Sequence, residues 1–442
     1  MTNLETSVMR KVAWRLVPFV SFAYLINILD RFNISFAALT MNHALGLSAT
    51  AYGLGAGAFF WSYVLFQVPA NMALERIGAR RWIMSIMLLW GVFSASMALV
   101  HGVVSFVIVR FLLGTAEAGF FPGVTYFMTC WFPSRHRGKA MGVFYGFGAS
   151  AGIFGGPIAT HLLFLDGWLG IAGWQWIFLA EGIPAVLFAI GCMLLLRDKP
   201  SDAEWLSEKE RSWLEATLAA ERGVVRGKHL SFGRAAFSPS IVMMTLVYVL
   251  IGFGVYGKAY FLPLMVKSLG YTNLTVGYLV SVISIGGVLG MVVLSRSSDR
   301  TGERVWHLIV PCLIGGAGLI AAGIAMRISP VLAVAAFCFA SFGISGSLPV
   351  FWNLPTAFLS SAAAASGIAL INSVGNISGY AAPQLVGLLR DLTGDYEISM
   401  LVMGGLVFLA GLLVPLAGHV HADAAAPDLA AAEAAGSPHM HF

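Results

Sequence analysis

Twelve runs of about twenty apolar residues dominate this chain, near positions 16–40, 52–74, 82–101, 103–125, 138–163, 174–196, 240–266, 274–295, 305–326, 330–358, 366–389 and 398–418. A run of that length crosses the hydrocarbon of a bilayer as a helix, where every backbone N–H and C=O must find its partner within the segment. A β-barrel would need alternating strands of about ten residues, which these continuous runs are not. The composition agrees. With 58% hydrophobic residues, 11% charged residues and a mean hydropathy of +0.82, the chain lies outside the soluble range. The expected fold class is an all-α membrane protein of twelve transmembrane helices, embedded in the lipid bilayer of the cell (inner) membrane.

Lysine and arginine set the orientation, because cytoplasmic loops retain them. Twenty of the 26 lie in the N-terminal segment (Arg10, Lys11, Arg15) or in the loops after the second, fourth, sixth and eighth runs; only Lys267, Arg327 and Arg390 mark the opposite side. Both termini are therefore expected in the cytoplasm. The first run is too long for a cleavable signal and contains Asp30-Arg31. The net charge of +5 is thus a topology signal and gives no support to a nucleic-acid partner. Cys130, Cys192, Cys312 and Cys338 are scattered and read as reduced residues of the lipid phase or the loops. No metal or organic cofactor is implied, and a monomer is expected.

The chain repeats itself. Glu75-Arg76-Ile77-Gly78-Ala79-Arg80-Arg81-Trp82 returns as Asp299-Arg300-Thr301-Gly302-Glu303-Arg304-Val305-Trp306, an offset of 224 from 75 to 299. The same offset carries Leu45-Gly46-Leu47-Ser48 onto Leu269-Gly270-Tyr271-Thr272. Two six-helix bundles in parallel repeat follow, 1–196 and 239–420, an arrangement expected of transporters that rock two bundles about a central site. Between them, 197–238 reads as a cytoplasmic linker in which Ser207 and Glu210 make a capping box for a short amphipathic helix bearing Trp213, Leu214 and Leu218. Residues 421–442 read as a disordered cytoplasmic tail, rich in Ala from 422 to 435. The repeated turns would place Glu75, Arg76 and Arg80, and Asp299, Arg300 and Arg304, at a cytoplasmic gate; the alternative is a static basic anchor.

Charges inside the runs are the functional signal, since each costs at least about 2.5–3.5 kcal/mol in a bilayer centre. Arg110 and Glu117 share one helical face with Gly114 between them, about 10 Å apart along the axis, and need partners from elsewhere. Asp30 and Arg31 in the first run supply one of each sign. The alternative for all four is a buried structural network. Glu181, beside Gly182 and Pro184, reads as structural, and Asn372 and Asn376 either recognise a ligand or join helices next to Gly375 and Gly379.

On these residues the chain resembles the major facilitator superfamily: the two acidic-Arg-x-Gly-x-Arg loops, Leu29-Asp30-Arg31-Phe32-Asn33, Arg110 through Pro122, Trp131-Phe132-Pro133 and Gly173-Trp174-Gln175-Trp176. Within it the chain is similar to the anion:cation symporters, which carry hexuronates, galactonate, tartrate, phthalate and related acids, and its first 80 residues are nearest the tartrate-transporter-like branch. The resemblance implies that Asp30 and Glu117 are protonatable, that Arg31 and Arg110 handle the anion, and that Tyr63 contacts substrate. Ile28 departs from the tyrosine of sugar-acid carriers, and Lys258 stands where an apolar residue is usual.

The expected function is proton-coupled import of a small organic carboxylate by alternating access, with protons as the coupling ion and no enzymatic chemistry. Anion exchange, drug antiport and a transporter-like membrane sensor are the alternatives. If Lys258 meets a second substrate carboxylate, dicarboxylates such as tartrate will be taken up in preference to monocarboxylates, and Lys258→Ile will erase that preference; unchanged selectivity in that variant retires the role.

Overall fold

The computed structural model describes residues 3–224, 239–358 and 361–434, and every regular element in them is helical. Along the chain these are α1 (Asn3–Ala44), α2 (Ala49–Ile77), α3 (Ala79–Ser96), α4 (Val103–Glu117), α5 (Phe120–Trp131), α6 (Ser134–Leu162), α7 (Gly173–Leu195) and α8 (Glu208–Val224). They continue as α9 (Pro239–Ser268), α10 (Asn273–Thr301), α11 (Trp306–Ala325), α12 (Pro330–Phe358), α13 (Ser361–Gly375), α14 (Ile377–Thr393) and α15 (Glu397–Ala434). Among the described residues, ten stretches are long and apolar enough to cross a membrane. Two expected spans fall outside that set. Helix α2 forms, but Ser62, Tyr63, Gln67 and Asn71 dilute its apolar character, and the run 366–389 is divided at Asn376 between α13 and α14. The run 103–125 is also interrupted, directly after Glu117. Helix α15 continues through the Ala-rich segment expected to be disordered, as alanine's high helix propensity favours; residues 435–442 lie outside the described ones.

Packing divides the chain into two compact units. The first comprises Met1–Gly227, Gly257–Ile285 and Tyr380–Tyr396; the second comprises Lys228–Tyr256, Gly286–Gly379 and Glu397–Phe442. This division differs from the one the repeat suggests, because its borders run through α9, α10 and α14.

In the first unit α3 packs on α7, α2 on α4, and α1 on α6 and α7. Lipid gives helices no hydrophobic reason to associate, so close backbone approach at small residues is what holds them. A Cβ on Gly182 of α7 would stand 2.7 Å from the Ala95 nitrogen of α3, and one on Gly114 of α4 would stand 2.1 Å from the Phe59 carbonyl of α2. The space that glycine leaves on α4 between Arg110 and Glu117 is therefore filled by α2 itself. The outward faces stay apolar, with Trp61, Leu65, Val68 and Ile108 exposed, as a lipid-facing surface requires. Cys130, Cys192 and Cys312 are buried in protein rather than facing lipid.

The repeat is visible as local structure. Helices α2 and α10 are each 29 residues long and start 224 residues apart. Each begins after a glycine with positive φ, Gly46 at 62° and Gly270 at 92°, and each is capped by a hydroxyl, Ser48 accepting from Ala51 N and Thr272 from Thr275 N. Each ends before another such glycine, Gly78 at 86° and Gly302 at 72°. In the second unit, a core of Ile241, Val247, Ile251, Leu308, Phe351 and Ile371 joins α9, α11, α12 and α13.

Helix α8 docks on the first unit. Ser207 N donates to Glu210 Oε2 at 2.9 Å and Glu210 N to Ser207 Oγ at 3.4 Å, which closes the capping box. Leu214 and Leu218 are buried, Lys11 of α1 bonds Glu210 at 2.6 Å, and Glu221 accepts from Ser134 N at the start of α6 at 3.0 Å. The bond from Lys11, with that from the Ser207 backbone, holds the Glu210 carboxyl below its ordinary range. A depressed carboxyl stabilises the docked state above its unfolded value, near pH 4.3, and that contribution is lost as pH falls through the lower folded value. Hydrogen exchange over 208–224 should therefore keep its full protection from neutral pH down to about pH 5 and lose the part that Glu210 contributes as the pH falls further, through the lowered range of that carboxyl. Glu210→Gln should lower that protection about two- to five-fold at neutral pH, the size of a half-exposed pair; protection unaffected by either change would remove this contact from the docking.

Candidate functional site

The four intramembrane charges meet within the first unit, on α1 and α4. Arg31 donates to Glu117 Oε2 from its terminal nitrogen at 2.9 Å and from Nε at 3.3 Å, and Asn27, one turn earlier on α1, adds a bond to the same oxygen at 2.9 Å. Glu117 is wholly buried, whereas the Arg31 side chain retains 17% exposure. The ring of Tyr63 lies 5.0 Å and that of Phe59 lies 5.2 Å from the Arg31 guanidinium. Those two rings are four residues apart on α2 and stack on each other at 5.8 Å.

Arg110 shares this aromatic wall. Its guanidinium stands 4.9 Å from the Phe59 ring, on a fully buried side chain, yet Nε and both terminal nitrogens lack a hydrogen bond of good geometry, the Tyr260 hydroxyl being the polar group that comes near them. A cation–π contact contributes about 0.5–2 kcal/mol, less than the several kcal/mol that burying an ion costs. The site therefore holds a positive charge with its donors unspent, beside a carboxylate whose Oε1 is also without a partner. Planar donors on two guanidiniums suit bidentate capture of an incoming carboxylate.

Asp30 is held differently. It accepts from Trp90 Nε1 at 2.8 Å, from Ser94 Oγ and from Asn33 Nδ2 at 3.2 Å, all buried groups. Its carboxylate is thus tied to α3, and Arg31, although adjacent in sequence, turns to Glu117.

The remaining expected residues are carried by α9, by α13 and the break after it, and by the repeated loops. Lys258 is half-buried on α9. Tyr260, two residues on and about 200° around the helix, is the α9 residue whose hydroxyl reaches the Arg31 carbonyl, at 3.5 Å. Asn372 and Asn376 belong to the second unit, where Asn376 occupies the break after α13 and accepts from Tyr256 at 3.2 Å. In the repeated loops, Arg80 N bonds Asp198 Oδ1 at 2.8 Å, and Arg304 bonds Asp299 at 2.7 Å and Ser298 Oγ at 2.9 Å. Arg76 and Arg300 are exposed, and the Glu75 side chain lies outside the described residues.

Sequence reasoning missed Asn27, Asn33, Phe59, Trp90, Ser94 and Tyr260. Some carried a signal: Asn27 and Asn33 lie three residues either side of Asp30, and Phe59 lies one turn before Tyr63. Trp90 and Ser94 carried none, since one indole and one hydroxyl in an apolar run look like ordinary span residues. Among the described residues, no group of three or more His, Cys, Asp or Glu side chains is placed to hold a metal.

Comparisons with known proteins bear on the family. A putative tartrate transporter of Agrobacterium vitis is 43% identical over 93% of this chain and 94% of its own. A quinolone resistance transporter of Acinetobacter baumannii is 40% identical over 92% and 94%. Among solved structures, a bacterial homologue of the human lysosomal transporter Spinster, inward-facing and occupied, superposes with a TM-score of 0.74 at 18% identity, covering 92% of this chain and 96% of that one. The profile of the Major Facilitator Superfamily matches residues 20–383, and the chain belongs to that family of multi-pass membrane transporters.

Proposed function

We propose that the chain is a proton-coupled importer of small organic carboxylates, working by alternating access between two six-helix bundles of a twelve-helix fold, with both termini in the cytoplasm. The observation that carries this reading is Arg110, a fully buried guanidinium whose donors have no hydrogen bond of good geometry, beside an Arg31–Glu117 ion pair. A carboxylate entering here takes the Arg110 donors and competes with Glu117 for Arg31. Glu117 then faces the loss of its counter-ion, and a buried charge stripped of its partner costs about 3–5 kcal/mol, so it takes a proton instead. Anion and proton thereby favour each other's binding, as linkage requires. Tyr63 walls the anion in, while Asn372, Asn376 and Lys258 are assigned to the rest of the substrate. The 43% identical tartrate-transporter relative supports a tartrate-like dicarboxylate.

Within the first unit, Asp391 accepts from Ala49 N and Thr50 N at 3.1 and 2.8 Å, Tyr52 donates to the Tyr260 carbonyl at 2.9 Å, and Ser281 donates to the Ile153 carbonyl at 2.5 Å. With the basic loops in the cytoplasm, the start of α2 faces outward, and this seam closes the outer side. The Glu75/Arg76/Arg80 and Asp299/Arg300/Arg304 turns are assigned to the opposite gate.

A second reading, drug export, is favoured by the 40% identical quinolone resistance relative. Everted vesicles that extrude a quinolone on a proton gradient, but do not exchange carboxylates, would decide for it. Under the import reading, Glu117→Gln, which mimics the protonated acid, keeps carboxylate exchange in proteoliposomes within about three-fold while uphill uptake on a pH gradient falls more than ten-fold. Arg31→Ala weakens binding itself by about 100-fold or more, as removal of one buried ionic partner does. Uphill accumulation retained in Glu117→Gln would exclude Glu117 from coupling.

A further inference from the structure

Glu181 of α7 is the buried acid that the reading above leaves unused. Only 6% of it is exposed, and Asn33 Nδ2 donates to its Oε2 at 2.8 Å. The same nitrogen donates to Asp30 Oδ1 at 3.2 Å, so one amide bridges two buried carboxyl groups. Among the described residues neither acid forms an ion pair. Helix α7 packs on α1, α3 and α6, and these elements bring no cation to Glu181. Helix α1 offers Asp30 and Asn33, and α3 offers Trp90 and Ser94, both committed to Asp30. The basic residues of α6 lie at its two ends: Arg135, His136, Arg137 and Lys139 in the first two turns, and His161 in the last, where it is exposed and bonds the Pro157 carbonyl. Beyond Asp30 stand Arg110 and Glu117 of α4, the latter already paired with Arg31.

Two carboxylates joined by one buried amide, neither of them in an ion pair and with Arg110 beyond Asp30 as the one cation to offset them among the described groups, do not both ionise. The amide between them carries a second mark: Asn33 is 3% exposed, and its Oδ1 has no hydrogen-bond partner. A carboxylate has no hydrogen to give that oxygen, whereas a protonated carboxyl does.

We propose that Asp30, Asn33 and Glu181 form a proton-binding site, separate from the Arg31–Glu117 pair, in which the two carboxyl groups hold one proton between them. The proton resides as O–H on one acid and donates to Asn33 Oδ1, while Asn33 Nδ2 donates to the other acid. Turning the amide by half a revolution exchanges the two roles, and with them the acid that carries the proton. No bond other than O–H is made or broken, and the proton count of the pair stays at one until a base removes it. Asn33 is a positioning residue in this scheme, and Glu181 is a proton ligand rather than a packing residue. The role of this proton in a transport cycle rests on the proton-coupled reading above; its presence does not.

The test is infrared spectroscopy of the purified full-length protein in lipid nanodiscs, following the protonated-carboxyl C=O band through a pH titration. Wild-type protein is expected to show that band at neutral pH. Glu181→Gln is expected to shift the frequency and the titration midpoint of a deuterium-sensitive component of it, because a proton left on Asp30 no longer shares its site with a second carboxyl group. Glu181→Met, which fills the volume without a polar group, is the second variant, and both are compared on a Glu117→Gln background so that Glu117 does not contribute. A band unchanged in frequency and midpoint in either folded variant overturns the site. So does a wild-type protein that shows no protonated-carboxyl band at neutral pH, a result that needs no variant to fold. The measurement uses neither substrate nor gradient. A wild type that holds the proton yet never accumulates a carboxylate on a pH gradient would defeat the import reading and leave this site standing.

Discussion

The buried ion pair between Arg31 and Glu117 is the contact on which the first unit's interior depends, because every polar group near it is arranged around that choice of partner. Arg31 could have neutralised Asp30, its neighbour in the chain, but successive side chains on a helix point about 100° apart. It reaches across to α4 instead. Asp30 then needs other donors, and Trp90, Ser94 and Asn33 supply them. Arg110 is left with an aromatic face and no hydrogen bond of good geometry. A charge set held this way is poorly matched to permanent structure, where every buried donor would be satisfied, and well matched to a cycle in which an anion arrives and leaves.

The close helix contacts serve the same arrangement. Gly114 on α4 lies between Arg110 and Glu117 and lets the backbone of α2 approach at Phe59, which is the ring that faces both guanidiniums. Packing and charge placement are thus one feature: a larger residue at 114 would push away the wall that the cations use. The first turns of α2 and α10, built alike 224 residues apart, show the same economy, since one glycine and one hydroxyl stop one helix and start the next in both places.

Much of this was legible in the residues. Hydropathy alone marks the membrane class, because a bilayer admits few folds, and the rarity of charge inside the runs singles out Asp30, Arg31, Arg110 and Glu117. Which acid pairs with which base was not legible. That depends on the relative rotation of α1 and α4, set by packing at Gly114 that no periodicity reports. The break at Asn376 and the interruption after Glu117 were hidden because both sit in apolar runs that read as continuous. The link between Glu181 and Asp30 was hidden for a related reason: Asn33 is 148 residues away from Glu181 in sequence, and only the fold brings the amide between the two acids. The linker helix was readable because its capping box and apolar stripe are local.

The central claim is that a carboxylate displaces Glu117 from Arg31 and so forces a proton onto it. Its most direct measurement is the proton balance on binding: tartrate, or whichever acid of a carboxylate panel binds best, is added to the purified protein in weakly buffered solution containing a pH indicator. The account predicts net proton uptake when the anion binds to wild-type protein, and its loss in Glu117→Gln with binding retained. Binding of the anion without proton uptake in the wild type, or uptake that persists in Glu117→Gln, would contradict it.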